Sequence, residues 1–136
     1  MNLQMATRYA LFSLLELAAH PERPACAAEI ARKFELSPHH LSKVLRILGR
    51  EGLVEAARGV GGGYRFVANA RRLTLLEIIE IFEPVGTLGA SVHPPGDGTV
   101  EGQALERVMG EIDTITRATL ASLTIETLLR SWVREP

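Results

Sequence analysis

The 136-residue chain contains one cysteine, Cys26. A lone thiol excludes an intrachain disulfide framework and any cysteine-only metal site within one chain. No stretch approaches the roughly 18 uninterrupted apolar residues of a membrane helix. Residues 1–20 lack a basic lead, a purely apolar run and a small-residue cleavage site, and Arg8 and Glu16 interrupt their apolar positions, so the expectation is a cytoplasmic protein with no membrane association. Internal repeats and low-complexity tracts are lacking as well.

What is present is an ordinary folding composition, with 46% apolar and 23% charged residues, far from the disordered regime. The formal net charge of −1 hides an uneven distribution. Residues 1–72 carry 11 Lys and Arg against 6 Asp and Glu, a net of +5, whereas residues 73–136 carry 4 against 10, a net of −6. Association with a polyanion depends on local potential rather than on the total. The first half is therefore the candidate for facing phosphate.

Apolar spacing predicts a helix from Thr7 to Ala19, stopped at His20-Pro21, and a second from Cys26 to Phe34 that buries Ala27, Ile30, Ala31 and Phe34. Ser37-Pro38 is a strong helix start, because serine can cap free amides and proline at the first helical position loses no bond. The third helix runs to about Arg50, with Leu41, Val44, Leu45 and Leu48 inward and His39, His40, Ser42, Lys43, Arg46 and Arg50 outward. Two short strands follow, 53–58 and 64–67, around the glycine-rich turn 59–63. Thr74 and Glu77 form a capping box for a helix to about Glu83, closed by Pro84. Residues 86–102 show no periodicity and read as a loop. A helical stripe of Leu105, Val108, Met109, Ile112, Ile115 and Leu120 extends to about Ser122, and a Thr124-capped short helix finishes the chain through Trp132.

Three helices followed by a hairpin are the order of a winged helix-turn-helix, whose second motif helix enters the major groove of DNA. Such a helix needs short polar and hydrogen-bonding side chains near its N-terminal end and cations placed to meet phosphate. Ser37, His39, His40, Ser42 and Lys43 meet that need, with Arg46 further along. In the hairpin, Gly61 and Gly62 let the backbone approach the sugar-phosphate wall, while Arg58 and Arg65, with Tyr64 beside them, are the cations for a narrow minor groove. The competing reading of each charge is a solvated helix face. His39 and His40 are adjacent and diverge around the helix, so they lack the one-turn spacing of a two-histidine metal site. His20 and His93 have no ligand partner in sequence, and no metal site is expected.

Tyr9-Ala10-Leu11, Glu29-Ile30-Ala31, Ser37 with His40-Leu41, Lys43, Leu45 and Leu48, Gly52-Leu53-Val54 and the run 58–64 resemble the Rrf-type winged-helix regulators, the family of IscR, NsrR and CymR. The resemblance continues through Leu73-Thr74-Leu75 and Ile78-Ile79 to Leu123-Thr124-Ile125. It implies a homodimer held by the long helix, Arg58 in the minor groove, and base reading from Ser37, His39, His40, Ser42 and Lys43. Where Ser42 stands, the iron-sulfur member of the family has an acidic residue, which implies a different operator. Many members bind an iron-sulfur cluster through three cysteines in the loop before the long helix. Here that loop has none, and His93, Asp97 and Glu101 are no substitute for three thiolates. No cofactor is expected. Cys26 occupies a position where the family commonly has a capping Ser or Thr. Its thiol is either a redox-sensitive group at a helix N-terminus or a small, partly buried side chain.

The resulting expectation is a mainly α fold with a small β-hairpin wing. It divides into a DNA-binding domain at 1–84, a flexible sensor-type loop at 85–102, and a dimerisation helix with a terminal short helix at 103–136. The stripe from Leu105 to Leu120 is either ordinary core or a dimer seam, and a long helix after a complete small domain has little of its own domain left to cover it. The expected function is a dimeric, sequence-specific regulator, a repressor by resemblance, binding a pseudo-palindromic DNA operator. Its control input is an unidentified protein, a small-molecule effector or Cys26 oxidation. The alternative is a winged-helix protein-interaction module without specific DNA binding. A metal-dependent enzyme has no supporting motif.

Overall fold

Helix α1 (Met5–Ala19) buries Ala10, Leu14 and Leu17 completely or nearly so. It starts two residues before the position expected from apolar spacing, where the Glu83 carboxylate accepts from Gln4 N–H at 2.9 Å and from the buried Thr7 hydroxyl. The buried Ser13 hydroxyl donates to Tyr9 O one turn back, 2.8 Å away. The computed structural model describes residues 2–59, 61–85 and 93–133.

Helix α2 (Ala27–Phe34) buries Ile30 and Ala31, while Ala27 and Phe34 pack on the core from half-buried positions. It ends where Glu35 takes a left-handed conformation (φ +56°), and Leu36 N–H closes back on Ala31 O at 2.8 Å. Helix α3 (Pro38–Arg50) buries the four residues expected: Leu41, Val44, Leu45 and Leu48. Its C-terminus satisfies two orphan carbonyls. Gly52 N–H bonds to Gly49 O and Leu53 N–H to Leu48 O, with Gly52 at φ +77°, where a side chain is disfavoured.

Strands β1 (Val54–Ala57) and β2 (Gly63–Phe66) pair antiparallel, Val54 opposite Phe66 and Ala57 opposite Gly63. The hairpin is tied to the turn before α2 by a bridge between Tyr64 and Ala25, whose amides and carbonyls exchange two hydrogen bonds of 2.8 and 3.1 Å. Helix α4 (Leu75–Phe82) is capped by Thr74, which accepts from Glu77 N at 3.1 Å, while the Thr74 hydroxyl donates to the Glu77 carboxylate.

Helix α5 runs from Val100 to Ser122. Its first turn lies inside the stretch expected as loop, 85–102. Glycine at 102 hides the start from a propensity reading, but Thr99 caps Gly102 N at 3.0 Å, and a Cβ at Gly102 would come within 2.2 Å of Gly96 O. The expected loop also includes residues 86–92, outside the described residues. Helix α6 (Ile125–Val133) follows. Leu73-Thr74-Leu75 and Leu123-Thr124-Ile125 pair as a backbone bridge, with Leu75 N to Leu123 O at 2.8 Å and Ile125 N to Leu73 O at 3.0 Å.

That bridge delivers Ile125, fully buried, into the same core as α1, α2 and α3. The terminal helix, grouped with the long helix in the sequence division, thus packs within the N-terminal core, because an element stapled beside Leu73 has α1 to bury against. Burial of a Leu or Ile side chain is worth about 1.5–3 kcal/mol, so Ile125 is a substantial anchor. A second cluster of Leu75, Ile79 and Val85 takes Leu120, Leu123 and Leu128 from the C-terminal half. Among the described residues no helix is long and apolar enough to cross a membrane.

Candidate nucleic-acid interface

The outward face of α3 is rigidly mounted. Four buried side chains fix one side of the helix, and its N-terminus is held twice. Ser37 Oγ accepts from His40 N at 3.4 Å, and Ser37 N–H donates to the Tyr9 hydroxyl at 3.0 Å. Tyr9 belongs to the sequence motif that begins the chain, but its role as an anchor for α3 was not legible, since nothing local links residues 28 positions apart. His39, His40, Lys43, Arg46 and Arg50 are all exposed. Ser42 is half-buried and donates to Pro38 O at 2.9 Å, so its lone pairs are what remains for an outside partner. The His39 and His40 rings sit edge to face with centroids 5.7 Å apart. Among the described residues no group of three or more His, Cys, Asp or Glu is placed to hold a metal ion.

The wing divides into residues the fold requires and residues it leaves free. A Cβ at Gly62 would lie 2.4 Å from Ala57 O, and one at Gly63 would lie 2.4 Å from the Ala25 carbonyl carbon. Both glycines are therefore demanded by turn closure and by the bridge to Ala25. Gly61 faces open space at φ +77° and is required by conformation alone. Tyr64 is half-buried against the core through the same bridge, so its position has a complete structural account. Arg58 is exposed beyond the end of β1. Arg65 is exposed too, but stands directly across the ladder from exposed Glu55, which offsets its charge. Of the two wing arginines, Arg58 presents the less compensated cation.

Cys26 is the N-cap residue of α2 yet makes no side-chain bond to the helix amides. Its Sγ instead faces Glu29 Oε1 at 3.4 Å, from a half-buried position.

Helix α5 has two distinct sides and no buried residue. Met109, Asp113, Thr116 and Leu120, spaced four, three and four apart, are half-buried. Leu120 packs on the Leu75–Ile79–Val85 cluster of its own chain. Arg117 fastens the same region by donating to Val85 O at 3.1 Å and to Glu80 at 2.9 Å. The other side carries Leu105, Val108, Ile112 and Ile115, all exposed, with Leu105 at 62% and Ile115 at 66%. Of the six residues expected in a dimer seam, Leu120 is used within the chain, Met109 is partly covered, and four remain as an open apolar stripe.

Comparison with known proteins matches residues 3–131 to the family described as Rrf2, iron-dependent transcriptional regulator. The chain is 45% identical over 130 residues to the BadM protein of Rhodopseudomonas palustris, which is named as an HTH-type transcriptional regulator, covering 96% of this chain and 82% of that protein. It is 35% identical over 86 residues to the HTH-type transcriptional regulator IscR of Cereibacter sphaeroides, covering 61% of this chain and 56% of that one. This second match spans little more than half of the relative. Among solved structures, CymR (YrzC), the global cysteine regulator of B. subtilis, matches with a TM-score of 0.80 at 26% identity, over 96% of this chain and 98% of that chain.

Proposed function

The chain belongs to the Rrf2 family of DNA-binding transcriptional regulators, and on that premise we propose that it is a homodimeric repressor that reads a pseudo-palindromic operator. The observation that carries this reading is the outward face of α3. Its His39, His40, Lys43 and Arg46 are exposed on a helix whose opposite face is wholly buried. His40 and Lys43 are assigned to base edges, with Ser37, His39 and Ser42 completing the reading set and Arg46 meeting phosphate. Arg58 enters the minor groove, with Arg65 as a weaker second cation and Gly61, Gly62 and Tyr64 shaping the backbone beside it.

Pairing through the Leu105–Ile115 stripe covers four exposed apolar side chains and presents two copies of α3, about one helical turn of DNA apart or a multiple of it. Repression is the proposed direction on the family resemblance alone. The control input is proposed to be independent of a cysteine-ligated iron-sulfur cluster. In support, the whole chain holds one thiol, and it sits at the N-cap of α2 facing Glu29, whereas such clusters take several thiolate ligands.

Selection of bound sequences from a random duplex pool, with iron content and absorbance recorded on the same sample, tests the reading. A palindromic consensus bound by colourless protein, with affinity falling steeply in salt, is expected. No enrichment would overturn the operator-reading role, and a coloured, iron-bearing sample would overturn the cofactor reading.

A further inference from the structure

A slot of about 500 Å³ opens between α1, α2 and α6, lined by Phe12 and Leu15 from α1, Phe34 from α2 and Trp132 from α6. This volume is in the range of small-molecule pockets, about 300–1,000 Å³. Trp132, the sole tryptophan, is 49% exposed at its wall, although a large aromatic ring gains most from full burial. Phe12 and Phe34 stack with centroids 5.1 Å apart, so the apolar wall is shared between α1 and α2.

The polar end of the slot is formed by Lys33, Glu16 and His20. Lys33, half-exposed, lies 5.4 Å from the Phe34 ring centroid and pairs with Glu16, which His20 also approaches at 3.8 Å. An ammonium has three donors, and among the described residues Glu16 is its one carboxylate partner. Next to this end is a second hollow of about 240 Å³, where Arg23 and Arg32 join Lys33, against Glu16 and Glu29. The two spaces share Glu16, His20 and Lys33. An apolar space thus leads into one with an excess of cations.

We infer that this slot is an effector site for a small organic anion, a flat apolar body carrying a carboxylate or sulfonate. The body lies among Phe12, Leu15, Phe34 and Trp132, and the anion meets Lys33 with Arg23 and Arg32 behind it. Coupling to DNA follows from position. Phe12 is three residues beyond Tyr9, and Phe34 three before Ser37, and Tyr9 and Ser37 form the hydrogen bond that holds the start of α3. A guest that parts α1 from α2 displaces this bond and with it the reading face, so occupancy weakens operator binding. The effect on DNA rests on the regulator reading above, whereas ligand binding does not.

The probe is 8-anilinonaphthalene-1-sulfonate, titrated into the full chain with excitation of Trp132. Saturable, tryptophan-sensitised emission at one probe per protomer is expected. Lys33→Glu and the milder Lys33→Gln, each checked for native helix content, should bind about ten-fold more weakly, as should the wild type with neutral N-phenyl-1-naphthylamine, the scale of one lost charge-assisted contact. Absence of saturable sensitised emission overturns the site, and equal affinity in both lysine variants overturns the anion. A saturated site that leaves operator affinity unchanged overturns the effector role, without touching the DNA-binding reading.

Discussion

Helices α3 and α5 are both amphipathic, yet α3 buries Leu41, Val44, Leu45 and Leu48 in its own core while α5 leaves Leu105, Val108, Ile112 and Ile115 in the open and buries nothing. In α3 the apolar face is spent on stability, and the polar face is free to act on something else. In α5 the arrangement is reversed: one side rests on α4 through Leu120 and Arg117, and the apolar side is the one without a partner among the described residues. The comparison teaches that an exposed face becomes informative only when the opposite face is accounted for. For α3 the free face suits an anionic double helix, and for α5 it suits an equally apolar surface such as its own symmetry mate.

The sharpest way to break the comparison is to make the α5 stripe polar. Ile112→Asp with Ile115→Asp removes two apolar side chains per protomer, four across a twofold seam; each is already partly covered in its own chain, so at about 1–1.5 kcal/mol apiece the change should weaken dimerisation by about 4–6 kcal/mol. Sedimentation velocity at micromolar concentration should then show monomers with poor operator affinity, and a persistent dimer would place the interface elsewhere. The matching change on α3 is Leu45→Ala, which opens a cavity under the reading face and should cost about 2–5 kcal/mol of folding stability in denaturant titration, with the dimer intact once folded.

Smaller effects separate the two sources of DNA affinity. Lys43→Ala or His40→Ala should cost about 1–3 kcal/mol on the preferred operator and much less on scrambled duplex, as expected for a base-edge contact. An equal loss on every sequence reassigns them to phosphate. Arg58→Ala should weaken binding more than Arg65→Ala, because Glu55 opposes Arg65 across the hairpin. The difference is expected to be no more than about 1 kcal/mol, and a larger loss at Arg65 would reverse the wing assignment.

Much of the fold was legible because it depends on local rules. The inward row of α3 is periodicity, Ser37-Pro38 and Thr74 with Glu77 are capping chemistry, and the hairpin is two short strands about a run of glycines. Misreadings arose where a distant contact overrode the local signal. Gly102 looks like loop, yet it lies in the first turn of α5, where Thr99 caps its amide and the closeness of Gly96 O excludes a side chain. Tyr64 and Gly62 have a structural reason that the sequence did not show, the bridge to Ala25 and the closeness of Ala57 O, beside the place in the wing that the sequence gives them. Leu120 belongs to the same apolar stripe in sequence as Ile112 and Ile115, and only packing distinguishes it from them.

The amino-acid sequence by itself determined the order of elements, the charge asymmetry between the halves, the outward polar row of α3 and the shortage of thiolates, because periodicity, charge and composition are properties of the chain before it folds. Tertiary structure decided which apolar residues are left over, that Tyr9 holds the start of α3, that Ile125 returns the chain's end to the core, and that Phe12, Phe34 and Trp132 line one slot. Those facts join residues up to 120 positions apart, and no local preference encodes a contact whose two partners meet only when the intervening helices have packed.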